Sequence, residues 1–220
     1  MSNNSKQTQA WLSHFGVEYT DRNLMTTTEM NLMYKKQYGV SRFDMNKEFI
    51  GGLDRDIKIL EVGANIGLQL MFLQQLGFQN LYGIELSSYA IELSKEKTKN
   101  INIIQGNALD IPFKDKCFDL VFTSGVLIHI NPEELYIVMR EIHRVTKTYI
   151  WGFEYYADKY TQIKYREGGG TTDLLWKADF PKIFCCEFED LREMQVRKYK
   201  YLRGNNKDVM YLLRREIDET

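Results

Sequence analysis

Cysteine is scarce in this sequence, and what there is does not pair. Cys117, Cys185 and Cys186 are odd in number, two are adjacent, and no C-x-x-C spacing occurs. A disulfide framework or a cysteine zinc site is therefore not expected, and reduced thiols point to the cytoplasm. Net charge is also missing: 29 Lys plus Arg stand against 30 Asp plus Glu, which leaves no overall field to attract a polyanion or coat an anionic membrane. Neither nucleic acid nor membrane is an expected partner. The opening residues "MSNNSKQTQAWLSHF" contain no apolar core of signal-peptide length, and no uncharged apolar run approaches the roughly 20 residues of a membrane span. His14, His129 and His143 show no paired-ligand spacing and no acidic cluster around them, so no metal is expected. Repeats and low-complexity tracts are absent too. What remains is a 220-residue chain with 44% hydrophobic residues, enough for one sizeable core and a single globular unit.

Residues 1–50 read as short polar-flanked helices, with Trp11, Leu12 and Phe15 on one apolar face. From residue 57 strands and helices alternate: strand "IKILEVG", helix "IGLQLMFLQQL" ended by Gly77, strand "NLYGIEL", helix "SSYAIELSKEKTK" ended by Asn100, strand "INIIQG". Such alternation predicts a parallel sheet with helices on both faces. Ile66, Leu70 and Leu73 form one stripe of the first of these helices. "FDLVFTSG" is apolar nearly throughout, as a doubly covered strand should be, and "NPEELYIVMREIHRVT" follows as a helix capped by Asn131, with Leu135, Val138, Ile142 and Val145 as its buried stripe. "YIWGFE" is a fifth strand. The aromatic and polar stretch 155–190 holds Gly168, Gly169 and Gly170, a hinge signal. "MQVRKYKYL" and "DVMYLLRR", joined by "RGNNK", predict an antiparallel hairpin, and the lysines of "RKYKYLR" suit an edge strand.

A strand, a glycine turn and a helix place backbone N–H groups at the carboxyl edge of a sheet, where open α/β folds bind ligands. The turn in "ILEVGANIG" departs from the G-x-G-x-x-G of dinucleotide sites: Gly63, Asn65 and Gly67 are the spaced positions, and Glu61 precedes them. An anionic side chain there would repel a pyrophosphate and suit an ammonium or sulfonium group. Glu85 ends the next strand, 22 residues after Gly63, the distance at which an acid accepts hydrogen bonds from both ribose hydroxyls. Capping the dipole of the helix from Ser87 is the alternative role.

These residues resemble the class I S-adenosylmethionine-dependent methyltransferases. "EVGANIG" is similar to their first motif with Asn65 in place of the middle glycine, Glu85 stands where their ribose-binding acid stands, and "QGNALDIPFKDKCFDLVF" resembles their G-D-A, L-P-F, F-D-x-V segment. "TSGVLIHI" and "REIHRVT" match the fourth strand with its loop and the next helix, while the usual P-G-G is replaced by "KTY". The resemblance covers 57–153. It implies a mostly parallel Rossmann-like sheet with a C-terminal antiparallel hairpin edge and S-adenosylmethionine as cofactor, with S-adenosylhomocysteine as product. It also implies a cofactor site of Glu61, Gly63, Asn65, Gly67, Glu85, Leu86, Asn107, Ala108, Ser124 and Gly125, with Asn107 and the Ala108 backbone facing the adenine. "HFGVEYTDRN" resembles a subgroup of methylases associated with pseudaminic acid biosynthesis, and in related enzymes an N-terminal helix lids the cofactor, so Tyr19 and Arg22 would contact the methionine carboxylate, Arg22 as a bidentate donor.

Methyl transfer from a sulfonium needs alignment and the removal of one proton. His129, after the fourth strand, is the candidate base, with an ordinary wall residue as the competing role; Glu154 and Tyr155 at the end of the fifth strand are the next candidates. No Asn-Pro-Pro-Tyr or Asp-Pro-Pro-Tyr motif of amino-methylating DNA and glutamine enzymes occurs. The expected layout is a helical lid at 1–50, a cofactor-binding core at 57–153, an acceptor-binding insertion at 154–190 in which Tyr165 and Trp176 could stack on a ligand, and a hairpin at 191–216. The acceptor is expected to be a small molecule, a sugar or sugar nucleotide methylated on O or N. A nicotinamide-dependent oxidoreductase and a non-catalytic cofactor-binding module are the rival readings, and the oligomeric state is open.

Overall fold

The computed structural model describes residues 6–164 and 175–216. Four helices come first, α1 (Lys6–Leu12), α2 (His14–Arg22), α3 (Thr27–Tyr38) and α4 (Arg42–Ile50). Ser13, Thr26 and Ser41 cap the last three by accepting a backbone N–H through their hydroxyls, and Thr26 with Glu29 completes a reciprocal capping box. The Ser13 cap also divides the apolar face expected across this region. Trp11 and Phe15 meet edge to face at 5.2 Å, whereas Leu12 ends α1 and is 49% exposed.

The strands are β1 (Lys58–Val62), β2 (Asn80–Glu85), β3 (Asn102–Gln105), β4 (Phe118–Ser124), β5 (Thr146–Tyr155), β6 (Thr161–Gln162), β7 (Trp176–Lys177), β8 (Leu191–Lys200) and β9 (Lys207–Arg215). Seven of them form one sheet in the order β3-β2-β1-β4-β5-β9-β8, parallel from β3 to β5 and antiparallel through β9 and β8. The fold is thus the expected Rossmann-like, mostly parallel sheet with an antiparallel edge. The hairpin inserts its second strand next to β5, which leaves the charged β8 as the edge.

The remaining helices are α5 (Leu68–Gln75), α6 (Ser88–Lys97), α7 (Pro132–Val145) and α8 (Phe180–Glu187). One face of the sheet packs against Leu135, Val138 and Ile142 of α7 and Phe180 and Phe184 of α8; the other packs against Tyr34, Met45, Ile50, Leu70 and Leu73 of α3, α4 and α5. Each large side chain fully buried in these layers contributes roughly 1.5–3 kcal/mol, so the stripe of α7 alone outweighs any single surface ion pair.

Three local expectations are corrected. Ile66 is buried but lies in the turn before α5, not on it. β5 begins at Thr146, directly where α7 ends, so "KTY" is already strand and leaves no connecting loop of the P-G-G kind. The 155–190 stretch contains the α8 helix and the small β6-β7 ribbon; Gly168, Gly169, Gly170 and Tyr165 lie outside the described residues. Among the described residues, no helix is long and apolar enough to cross a membrane.

Candidate functional site

The order of the sheet reverses between β1 and β4, and a cavity opens at the carboxyl ends of β1, β2 and β4. The turn after β1 builds its floor. Gly63 and Ala64 both donate their N–H to the Ile84 carbonyl at 2.9 Å, tying the turn to β2. Gly63 has φ 74°, and a Cβ there would come within 2.7 Å of Val126 Cγ2, so only glycine fits against the turn that follows β4. Asn65 is itself left-handed, at φ 47°. That conformation is one asparagine tolerates better than most residues, which explains how it replaces the glycine of the usual motif.

Two carboxylates on the sheet strands face this cavity. Glu85, at the end of β2, accepts the Asn65 N–H through Oε2 and the Ser87 N–H through Oε1, both at 2.8 Å. Burial raises its pKa, and the backbone donors of Ser87 and Asn65 hold the rise in check. Both bonds come from backbone atoms that cannot move away, so the carboxylate is fixed while each oxygen keeps a lone pair for a ligand. Glu61, in β1, is 2% exposed and its Oε2 has no hydrogen-bond partner. Burial pushes its pKa well above the carboxylate range; Arg42 opposes that rise and Glu85 adds to it. Asn65 Oδ1 and Gln69 Oε1, on the same wall, also lack partners. Unmet buried oxygens of this kind are costly unless a ligand supplies donors.

Leu86, Asn107, Ala108, Ser124, Gly125, Tyr19 and His129 line the cavity with Glu61, Gly63, Asn65 and Glu85. Asn107 accepts the Leu109 N–H at 3.0 Å, which shapes the turn holding Ala108. His129 is 6% exposed on a single 3-10 turn, Leu127–His129. Its ring lies edge-on to Trp11 at 4.9 Å and to Tyr19 at 5.9 Å, while Trp11 and Tyr19 meet at 4.8 Å. Helices α1 and α2 thereby lay Thr8, Trp11, Tyr19 and Thr20 against the cavity.

Other expected residues are elsewhere. Arg22 is half exposed and pairs with Glu18 at 3.9 Å, one turn back on α2, rather than reaching the cavity. Gly67, at φ 81°, stands behind the wall; a Cβ there would meet Ile103 Cδ1 at 2.8 Å, so it allows α5 to pack on β3. Glu154 does not face the crevice: it is fully buried under the turn after β4, accepting Val126 N–H at 3.2 Å and Ile128 N–H at 3.4 Å. Tyr155 packs under Lys177, whose Nζ is 5.7 Å from the ring centroid. Trp176 is buried in β7 and also stays off the cavity wall. The pattern behind Glu154 and Tyr155 is that the chain after β4 folds over the end of β5 and covers it.

Residues unforeseen in the sequence fill the gaps. Trp11, Gln69 and Glu134 line the cavity, and Arg42 lies just behind it, wholly buried. Gln69 had a legible signal, a polar residue within an otherwise apolar helix. Arg42, in "SRFDMNKEF", reads as a solvated helix start and gives none.

Comparison with known proteins agrees with this geometry. Residues 60–149 match the family described as "Methyltransferase domain". An uncharacterized methyltransferase of Alkaliphilus oremlandii is 40% identical over 75 residues, covering 34% of this chain and 34% of that protein. A demethylmenaquinone methyltransferase of Staphylococcus aureus is 30% identical over 122 residues, covering 53% of this chain and 49% of that one. This chain thus spans between about a third and a half of the length of these curated relatives. Among solved structures, the Burkholderia thailandensis 1,6-didemethyltoxoflavin-N1-methyltransferase with bound S-adenosylhomocysteine has a TM-score of 0.69 at 13% identity, covering 99% of this chain and 93% of that one. The cyclase SpnF, at TM-score 0.62 and 14% identity over 80% of each chain, shares the fold as well. Residues 60–149 are thus similar to a methyltransferase domain, and the sheet and turn that carry them share the fold of these solved structures.

Proposed function

We propose that this protein binds S-adenosylmethionine in the cavity at the carboxyl ends of β1, β2 and β4 and transfers its methyl group to a small-molecule acceptor. The observation that carries this reading is the pair of carboxylates in one cavity, Glu85 clamped by two backbone N–H groups and buried Glu61 with an oxygen unmet. They fit the group: Glu85 offers acceptors to two ribose hydroxyls, and Glu61 offers an unmet oxygen that an ammonium can reach and whose ionised form it favours. A diphosphate would be repelled by both. When bound, the cofactor supplies an electrophilic methyl group. Asn107 and Ala108 border the adenine end, and Gly63 and Gly125 let the backbone approach closely.

His129 is the group best placed to accept a proton from an acceptor, since it stands in the cavity wall after β4. Helices α1 and α2, within the 1–50 region, act as the lid, and the 154–190 segment contributes to acceptor binding. The acceptor reading is a sugar or sugar nucleotide methylated on O or N, and it rests on the resemblance of "HFGVEYTDRN" to methylases of pseudaminic acid biosynthesis. The reduced cysteines support a cytoplasmic setting.

Calorimetric titration with S-adenosylhomocysteine and, separately, with NADH tests the cofactor. Binding of the first and not the second is expected; the reverse overturns the proposal. Incorporation of labelled methyl groups from S-adenosylmethionine into small molecules of a cell extract then tests the transfer, and a protein that binds cofactor with no incorporation would be a binding module.

A further inference from the structure

Arg42 is the most thoroughly buried cation in the described structure, with 0% exposure on the first turn of α4. Its guanidinium lies over three aromatic rings, Phe153 at 4.4 Å, Tyr34 at 5.4 Å and Trp151 at 5.8 Å. Among the described residues, Nη1 donates to the Tyr34 hydroxyl and Nη2 donates to Ser124 Oγ, each at 3.2 Å. Ser124 lines the cavity, and so does Glu61. Nε has no partner at all. A buried guanidinium held this loosely is unfavourable for folding alone, because desolvation of a charge outweighs a pair of neutral hydrogen bonds.

The charges around it give the reason. Glu61 in β1 is within electrostatic range of Arg42, as is Asp208 in β9. The other groups acting on Glu61 are Glu85 from β2 and the Leu70 backbone N–H from α5; Tyr34 from α3 and Tyr199 from β8 complete the surroundings of Arg42. Ser124 uses one lone pair to accept from Arg42, which leaves its own O–H to donate elsewhere. The cavity therefore presents a carboxylate beside a hydroxyl backed by a guanidinium. That arrangement matches a zwitterion, an ammonium toward Glu61 and a carboxylate toward Ser124.

We propose that Arg42 is a positioning residue for the amino-acid end of the cofactor, acting through Ser124, whose hydroxyl it turns toward the ligand carboxylate, and through the positive charge it sets behind Glu61. This takes the place that the resemblance implied for Arg22, and it rests on the cofactor reading above. Burial and Glu85 both favour the protonated form of Glu61, and Arg42, with the Leu70 N–H, opposes them. Ionised Glu61 is the form that binds an ammonium, so cofactor affinity rises with pH through the titration of Glu61, and loss of Arg42 moves that rise to higher pH.

The test is calorimetry with S-adenosylhomocysteine between about pH 5.5 and 8.5 on wild type, Arg42→Met, Arg42→Lys, Glu61→Gln and the double variant Arg42→Met with Glu61→Gln. Arg42→Met should bind at least about tenfold more weakly near neutrality, with the gap closing as pH rises. Arg42→Lys, which keeps the charge, should return the profile toward wild type. Glu61→Gln should flatten the pH dependence, and adding Arg42→Met to it should cost far less than in the wild-type background. A loss of affinity in Arg42→Met that is equal at every pH and additive with Glu61→Gln overturns the inference and leaves Arg42 a structural residue. Should Arg42→Met fail to fold, the Arg42→Lys and Glu61→Gln profiles decide, with Ser124→Ala as the second arm: unchanged affinity in Ser124→Ala together with a pH-independent wild type overturns it. If wild type does not bind S-adenosylhomocysteine at any pH, it is the cofactor reading that falls; binding by wild type with additive variants removes the Arg42 role alone.

Discussion

At the amino ends of the strands, charges are answered by protein. Arg144, in the last turn of α7, donates to Glu141 at 2.7 and 2.8 Å, to Asp115 at 2.8 Å and to the carbonyls of Phe113 and Ile111 at 2.8 and 2.9 Å. Arg215 at the end of β9 donates to Asp190 at 2.6 Å and to the Thr146 carbonyl at 2.9 Å, while His143 shares Asp190 at 2.7 Å and stacks on Phe188 at 4.3 Å. Glu141 and Asp190 sit below their ordinary range: Arg144 draws Glu141 down, and His143 with Arg215 draws Asp190 down despite its partial burial. At the carboxyl ends the sign reverses. Glu61, Glu85 and Glu154 are all raised by burial. The difference teaches where folding ends and function begins in this molecule. Charge that the fold can pair is used to pin α7 and β9 to the sheet; of the raised carboxylates, Glu61 and Glu85 face the cavity where a ligand has work to do, while Glu154 lies covered beneath the turn after β4.

The largest expected effect breaks the carboxyl end. Glu85→Ala removes two charged acceptors, worth on the order of 1.5–3 kcal/mol each, so S-adenosylhomocysteine affinity should fall at least about 100-fold by calorimetry. Unchanged affinity removes the ribose role. Next comes a stability effect. Burial raises Glu154 from 4.5 to about 7, against the hydrogen bonds of Thr123 and of the Val126, Leu127 and Ile128 backbone. Asp208 rises from 3.8 to about 6, again by burial. Both fold with a proton they would have released when unfolded, so the native state binds more protons through that window and stability falls as pH rises through it. For Glu154 the loss is on the order of 3 kcal/mol between about pH 4.5 and 7. Urea unfolding at pH 5 and pH 8 checks this: Glu154→Gln should show a clearly smaller loss than wild type, and equal losses would place the slope elsewhere.

The same division explains what could be read from the sequence. Parallel strands and the stripe of α7 are written in local periodicity, and the hairpin in its turn residues, so the sheet was legible down to its antiparallel edge. Gly63 and Asn65 were legible because one turn fixes them, and Glu85 because it ends the neighbouring strand, 22 residues after Gly63. Glu154 and Tyr155 were misplaced because strand position shows which edge a residue reaches but not whether another turn folds over it, as Gly125–His129 does here. Arg22 was misplaced because two arginines share the N-terminal helices, and which one turns inward depends on how α4 packs against β4. Neither fact is local. Arg42 is invisible for the same reason, since its partners Tyr34, Ser124 and Phe153 come from three separate elements.

A smaller change sharpens the cavity side. His129→Ala should slow methyl transfer about 100-fold while leaving S-adenosylhomocysteine affinity within a few-fold of wild type, the size expected for removing a general base. A near-normal rate in single-turnover assays with labelled donor would assign His129 to packing under Trp11 and Tyr19 instead.

The smallest effect tests the paired end. Arg144→Met strips Glu141 of its cation and leaves the Ile111 and Phe113 carbonyls without a donor, although the Ile111 N–H still reaches Glu141 at 2.9 Å. The Arg144 side chain is 28% exposed, so water softens the loss, and about 1–2 kcal/mol of stability, or roughly 2–8 °C in Tm, is expected. Its pH signature is opposite to that of Glu154. Because Arg144 lowers the pKa of Glu141, the pair is fully stabilising above the unfolded carboxylate range and fades as acid protonates Glu141, so wild type and variant should converge below about pH 4. Cofactor affinity should not change, since α7 meets the cavity at its amino end, through Glu134, and Arg144 lies on its last turn. Weakened S-adenosylhomocysteine binding in Arg144→Met, with Tm intact, would show that the two ends of the sheet are coupled and that pairing alone does not separate structural charge from functional charge.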